Sequence, residues 1–511
     1  MSQAAQTGMS VPHFFLASRR GRYTVDFMSA AASTRREIVL GSITVVVCVI
    51  AATWLRLHGI ADKSFWTDEG ISAAFTKLGW YDFVRILWRR EGNMTLYYLL
   101  LRAWTHLGDS VAMIRGFSVL CSVATIPALY LLGRRLFNDW TGRAAVILFA
   151  LNAYSVRYAQ EARSYSLVAL LVTVASLFFV KAVQDEDERS WRSYITFSVL
   201  AVYAHFFAVL VVIAHGVFLW RTPLKERFVR AAKRIALFTI PIWLFIATTG
   251  TGPIGWIPRP RPDWLWFAAK HYSGNAGGVL VALLAVCLIA AGVVAVKAYR
   301  AGERTSLYLL VASWWLVPWL VTLPIAMIKP VFLPRYLIIT LPAVVLFAAA
   351  GLDQLRKIRL TILLVPLIAW FSATGIQSFY AHDFDISRED FRGATAYILS
   401  HAQPSDVIVF HKAQNRFAYE YYADHSSGAV KPTIIYPGTN QAGWRDFVIR
   451  VTPVTLDSVR QQKSRVWILM SENLGPRGED GAAEQLKQAA ANAHHLKQAE
   501  DFTVLRVYLY E

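Results

Sequence analysis

Two carboxylates stand side by side in the run Phe65-Trp66-Thr67-Asp68-Glu69-Gly70. Adjacent acids next to two aromatic rings are costly at a membrane surface unless they are solvated or used, and an acid–base role is one such use. A further acid, Glu161, lies in Tyr158-Ala159-Gln160-Glu161-Ala162-Arg163-Ser164-Tyr165, where Glu161 and Tyr165 are spaced to share a helix face. Lys329-Pro330 and Pro334-Arg335-Tyr336 put two cations in a tight loop just before an apolar run. A guanidinium such as that of Arg335 matches phosphate oxygens bidentately. Carboxylates beside cations at a lipid boundary suit a reaction whose leaving group is a prenyl phosphate. Asn93, Tyr97 and His205 join this set because threading the chain through a bilayer puts them on the same side.

Each cluster also has a plainer account. Asp68 could cap a short helix starting at Glu69. Gln160 and Glu161 could cap an incoming span while Arg163 snorkels to headgroups, and Arg335 could be an interfacial anchor. The combination on one side favours chemistry. The sequence holds no metal-ligand spacing, Walker loop or Gly-rich nucleotide fingerprint.

The elements that must position these residues are membrane helices. The 511 residues are 55% hydrophobic and only 17% charged, against about 25% charged in a soluble protein. The net charge of +18 comes from Lys and Arg in short clusters between apolar runs, the positive-inside pattern rather than a nucleic-acid-binding surface. Cys48, Cys121 and Cys287 all fall inside apolar runs and read as small buried residues.

About eleven spans are expected from the ~20-residue criterion: residues 38–57, 114–132, 144–158, 165–182, 191–204, 206–220, 235–249, 279–296, 306–325, 337–352 and 360–376. The first reads as a signal anchor that is kept. Residues 96–107 are too short to span and are expected to lie along the outer surface. The stretch from Trp191 to Trp220 has basic residues at both ends, so it must go out and return near His205.

This gives three regions: a basic cytoplasmic tail at 1–37, a transmembrane domain at 38–378 whose periplasmic loop 58–113 carries the acids, and a periplasmic domain at 379–511. In the last, a helix start at Ser387-Arg388-Glu389-Asp390 and strand-like runs at 407–410, 433–436, 466–470 and 503–510, with a helix near 484–493, predict a small soluble α/β domain. The fold class is a polytopic α-helical protein of the inner membrane with that domain appended.

Six runs in order carry a family resemblance: Trp66-Thr67-Asp68-Glu69; Asn93 with Leu96-Tyr97-Tyr98-Leu99-Leu100; Gly133-Arg134-Arg135-Leu136-Phe137; Tyr158 to Tyr165; Tyr203-Ala204-His205-Phe206; and Pro334-Arg335-Tyr336-Leu337. They resemble the GT-C glycosyltransferases, nearest to bacterial relatives of protein O-mannosyltransferases and of the aminoarabinose transferase that modifies lipid A. The resemblance implies inverting transfer of a sugar from a polyprenyl-phosphate-linked donor to an envelope acceptor. Asp68 would be the general base, with Glu69 beside it. Glu69 and Glu161 would orient substrate or hold a divalent ion if one is used. Arg335, with Arg163 and His205, would neutralise the departing phosphate. The family usually has two prolines before the Leu-Tyr-Tyr run; here Met94-Thr95 stand there, which changes the local shape of the acceptor site.

Two other classes compete. A transporter or lipid flippase would show mid-membrane charges and repeated halves, neither of which is visible in the sequence. A receptor or assembly factor acting through the outer domain leaves the shared placement of Asp68, Glu69, Glu161 and Arg335 without a purpose.

Overall fold

The computed structural model describes residues 35–250, 257, 259–303, 306–329, 331–382, 388–438, 451–471 and 481–511. Most of the basic tail, residues 1–34, and the expected cap Ser387 lie outside them, as does Pro330.

Among the described residues, seven helices are long and apolar enough to cross a membrane: Arg35–Leu57, Val111–Leu136, Tyr165–Gln184, Gly277–Arg300, Leu307–Ile328, Pro334–Arg356 and Thr361–Ala381. Lys225–Phe238 and Ile240–Thr249 make an eighth if that pair, bent by 56°, is one span. The expected count of about eleven is not reached by this measure. Three expected spans appear instead as helices of 12, 17 and 11 residues, Asp139–Ala150, Glu188–Ala204 and Val209–Leu219, each short of the ~20 residues that cover a bilayer.

Burial separates the centre of the bundle from its rim. The most apolar window of Pro334–Arg356 is 89% buried and that of Tyr165–Gln184 78%, whereas Arg35–Leu57 is 17% buried. The rim helices turn most of their apolar surface outward, which only lipid can cover without cost. Small residues let the inner helices approach closely. A Cβ on Gly351 would sit 1.8 Å from the carbonyl oxygen of Cys287, so the helices Gly277–Arg300 and Leu341–Arg356 cross there backbone to backbone.

The C-terminal part is a five-stranded sheet in the order β2-β1-β3-β5-β4, with β1 Val407–His411, β2 Thr433–Tyr436, β3 Val466–Ser471, β4 Leu496–Phe502 and β5 Leu505–Tyr510. β1 pairs in parallel with β2 and β3, which places Val407 opposite Val466, and β5 runs antiparallel to β3 and β4. Every residue of β1 and β3 is buried, as befits central strands covered on both faces. The helices Phe391–His401 and Asn415–Asp424 pack on one face through Phe391, Ile398 and Tyr419. Pro453–Arg460 and Gly481–Ala491 pack on the other through Val459 and Leu486. The first helix starts at Phe391, capped by Asp390, whose Oδ1 accepts from the Gly393 amide at 3.0 Å.

This small domain sits on the acidic loop. The helix Asn415–Asp424 lies across Thr67–Thr76 so closely that a Cβ on Gly70 would meet the Ala418 backbone at 2.8 Å. The Tyr422 hydroxyl accepts from the Phe65 amide at 2.6 Å, and the Tyr421 hydroxyl donates to the Asp109 carbonyl at 2.8 Å. Arg392 reaches the carbonyls of Ala61, Asp62 and Lys63.

Candidate active site

Helix ends and breaks build the site. Trp66 is in the extended conformation and precedes the helix Thr67–Thr76, which puts Asp68 and Glu69 in its first turn. Acids are stabilised there by the helix dipole. Asp68 is therefore not the cap of a helix starting at Glu69; its side chain stays partly exposed, at 27%. A second helix break, at Gln160 to Ser164, presents Glu161 and Arg163. A third falls at His205, whose extended backbone separates Glu188–Ala204 from Phe206–Ala208. The turn Pro334–Thr340 presents Arg335 and Tyr336.

These breaks converge. Arg163 Nη2 lies 3.6 Å from Asp68 Oδ2 and 3.9 Å from Glu91 Oε2, while Arg163 Nη1 donates to the Tyr98 hydroxyl at 2.8 Å. The Arg335 guanidinium stands 5.4 Å from the Trp66 ring centre and is attracted by the Asp68 charge. The Tyr336 ring packs against His205 at 5.1 Å, and Tyr165 approaches the same histidine at 6.2 Å. His205 is buried, and its Nδ1 accepts from the Phe207 amide.

Other residues of the expected set are placed differently. Glu69 is fully buried in a fork with Arg115: Nε and Nη2 of the arginine reach Oε1 and Oε2 at 2.8 and 2.7 Å, and the Ala162 amide also donates to Oε1 at 2.8 Å. That makes Glu69 a brace between three segments, because its lone pairs face protein donors rather than a substrate. Gln160 is a strap as well, its amide donating to the Arg56 and His58 carbonyls. Tyr97 is fully buried against Tyr98 and Phe117. Asn93 is half-buried in the turn Gly92–Met94, two residues after Glu91. Lys329 is exposed at the end of Leu307–Ile328 and belongs to no part of the cluster described above.

Several contributors were not singled out from the sequence. Glu91 faces Arg163 and accepts from the Tyr98 hydroxyl at 3.2 Å. Burial pushes its carboxyl above the usual range and the Asp68 charge adds to this, while Arg163 opposes it. From the C-terminal domain, Arg388 Nη2 binds Glu161 Oε2 at 2.6 Å and its guanidinium stands 5.0 Å from the Trp66 ring centre. Next to it, Glu389 accepts from the Thr67 hydroxyl at 3.0 Å and from its amide at 3.4 Å. Burial raises the Glu389 carboxyl, against the pull of those bonds. A charge inside an apolar run needs a partner, so Arg115 was a visible signal. Glu91 and Arg388 had none beyond their type.

Among the described residues no group of three or more His, Cys, Asp or Glu side chains is arranged to hold a metal ion. The two acids the sequence offers as donors do not fit a resident divalent ion, since Glu69 is taken by Arg115 and Glu161 by Arg388.

The sequence model of the family described as dolichyl-phosphate-mannose-protein mannosyltransferase matches residues 95–249. No curated protein sequence is significantly similar to the chain. Among solved structures, ArnT from Cupriavidus metallidurans in the apo state superposes with a TM-score of 0.60 at 12% identity, covering 91% of this chain and 97% of that one. ArnT from the same organism bound to undecaprenyl phosphate gives 0.61 at 12% identity over the same shares. The chain has a GT-C fold. The archaeal oligosaccharyltransferase AglB from Archaeoglobus fulgidus, in complex with an inhibitory peptide and a dolichol-phosphate, shares it at a TM-score of 0.51 and 11% identity, covering 93% of this chain and 74% of that one. Within this GT-C architecture, the helix breaks around Asp68, Arg163 and Arg335 form one acidic and cationic cluster beneath the C-terminal domain.

Proposed function

We propose that the protein is an inverting glycosyltransferase that moves a sugar from a polyprenyl-phosphate-linked donor to an envelope acceptor, a glycolipid, polysaccharide or protein. The observation that carries this is the placement of Asp68: a partly exposed carboxylate held beside Arg163 and within the field of Arg335, on a helix N-terminus. A carboxylate so placed can take the proton of an acceptor hydroxyl as its oxygen attacks the anomeric carbon. The bond from that carbon to the phosphate oxygen breaks, and the negative charge left on the phosphate meets cationic side chains. Inversion follows if attack is from the face opposite the leaving group.

The fold supports a lipid-linked donor. ArnT of this fold is bound to undecaprenyl phosphate in one structure, and AglB is in complex with a dolichol-phosphate and a peptide. A prenyl phosphate can be presented at a site between membrane helices without leaving the bilayer. The match of residues 95–249 to a mannosyltransferase family supports sugar transfer as the reaction class.

In this reading the sheet domain and the loop 58–113 lie on the periplasmic face of the inner membrane and the N-terminus is cytoplasmic. The bent pair Lys225–Phe238 and Ile240–Thr249, taken as one crossing, and the short helices Asp139–Ala150, Glu188–Ala204 and Val209–Leu219 complete the crossings beyond the seven long ones, an odd number. The decisive experiment is transfer from a radiolabelled polyprenyl-phosphate sugar in proteoliposomes, combined with mass spectrometry of envelope glycolipids and glycoproteins from a deletion strain. Loss of one sugar from one acceptor identifies both substrates. An unchanged envelope together with no transfer in vitro rejects the assignment.

A further inference from the structure

The first span ends on a charge that lipid cannot solvate. Arg56, one residue before the end of Arg35–Leu57, is fully buried. Charges inside membrane segments are rare and costly, and they are kept where they serve a purpose. A guanidinium has five N–H donors, and here all five are met by neutral oxygens. Nε donates to the Ser122 hydroxyl at 2.8 Å, and Nη1 to the carbonyls of Ala52 and Ala150 at 3.3 and 3.2 Å. Nη2 donates to the Phe149 carbonyl at 3.3 Å and to the Ser155 hydroxyl at 3.0 Å.

Those acceptors lie on both sides of a helix break. Asp139–Ala150 ends inside the bundle, and Ala153–Ala159 starts after Leu151 and Asn152. The last carbonyls of a helix have no partner within it, and away from water they need one. Arg56 supplies it, as a cation at the negative end of the helix dipole. Its bond to Ser155 then crosses to the second helix, which runs directly into the 160–164 break. The Arg56 carbonyl also accepts from the Gln160 amide at 3.1 Å. The helix Val111–Leu136 carries the alignment on to the acids. Arg115, Ser118 and Ser122 are spaced three and four apart and share one of its faces. Ser122 takes Arg56, Ser118 donates to the Arg163 carbonyl at 3.3 Å, and Arg115 grips Glu69, the neighbour of Asp68. Three anchors on one face thus hold the first span, the 160–164 break and the acidic helix in register.

We propose that Arg56 is a positioning residue for sugar transfer, a role that rests on the transferase reading above. By clasping the break at 151–152 to the first span, it sets where Arg163 stands relative to Asp68. Arg56 bonds to neither of them, so its effect on the reaction is geometric. A misplacement of about 1 Å among groups that act on a substrate costs on the order of a hundredfold in rate.

The test uses the full-length protein in nanodiscs, with membranes of the deletion strain as acceptor source. Radiolabelled polyprenyl-phosphate mannose, aminoarabinose and glucose serve as donors in turn, and rates are expressed per folded molecule. Arg56→Met is expected to lower kcat about ten- to a hundredfold while the donor KM stays within about threefold. Ser155→Ala removes only the bond across the break. It is expected to lower kcat about three- to tenfold, with a melting temperature close to wild type. Arg56→Lys keeps a cation at the helix end without the fork that spans the break, so it is expected to recover melting temperature but little turnover. Hydrogen exchange should quicken over residues 151–164 in Arg56→Met and Ser155→Ala, while Tyr165–Gln184 stays protected. Wild-type kcat in both Arg56→Met and Ser155→Ala, or unchanged exchange over 151–164, would overturn this inference alone. So would parallel recovery of stability and turnover in Arg56→Lys, the mark of a residue that only holds the fold. Failure of the wild type with every donor would reject the transferase reading, and the positioning role with it.

Discussion

Arg163 holds its Nη2 atom 3.6 Å from Asp68 Oδ2, outside a normal hydrogen bond yet close enough for strong attraction in a half-buried setting. Tyr98 fixes the guanidinium through Nη1. The arrangement holds a cation beside Asp68 while leaving its oxygens less committed than those of Glu69.

Asp68→Asn is expected to cut transfer about 10²- to 10⁴-fold, the range of a lost general base, with thermal stability close to the wild type. Initial rates at saturating donor check the first part, and a melting curve in detergent the second. Activity within a few-fold of wild type would remove the base role from this residue.

Glu69 behaves differently because it braces rather than reacts. Glu69→Gln or Arg115→Met leaves one member of a fully buried pair without its counter-charge, at a cost of about 3–5 kcal/mol. The double replacement Glu69→Gln with Arg115→Met is expected to recover part of that loss. Denaturation midpoints of the four proteins in one detergent decide it, and additive losses would contradict the brace.

The carboxyl of Glu91 is raised by burial and by Asp68, partly offset by Arg163. With the folded value above the unfolded one, the folded state holds the proton more tightly. The stability this confers is complete below the unfolded value and is lost as pH rises through the folded value. Glu389 is raised in the same direction, so the comparison must be between wild type and Glu91→Gln. The melting temperature of the variant relative to wild type is expected to climb as pH is raised from about 4.5 toward neutrality. A difference that stays flat would show that Glu91 does not titrate in this way.

Gly70→Val is expected to lift the sheet domain from the acidic helix, since even a Cβ meets the Ala418 backbone at 2.8 Å. Overpacking of this kind costs about 1–3 kcal/mol. Limited proteolysis should release the C-terminal domain faster, while the membrane bundle stays intact. An unchanged cleavage rate would mean that the contact is easily displaced.

The long spans were legible because a window of about 20 apolar residues has few other solutions. The helices of 12, 17 and 11 residues around 139–150, 188–204 and 209–219 were harder to count, because burial inside a bundle relaxes the length a helix needs. In the sheet domain β1, β3 and β5 announce themselves by apolar runs. β4 does not: six of its seven residues are exposed, and the strand Leu496–Phe502 reads as a polar linker. Asp68, Arg163 and Arg335 stood out as charges beside aromatic residues at span ends. Glu161 pairs with Arg388 across 227 positions, and nothing in either local sequence signals a contact of that range. The partner of Glu69, Arg115, is 46 positions away, and the run around residue 69 does not announce that contact either.

The docking of residues 388–425 onto the loop after the first span ties the beginning of the chain to its end. A ribosome releases those stretches hundreds of residues apart, so the bundle can be threaded into lipid well before Arg388 exists to reach Glu161. An unfinished chain would then sit in the bilayer with the loop after its first span still uncovered.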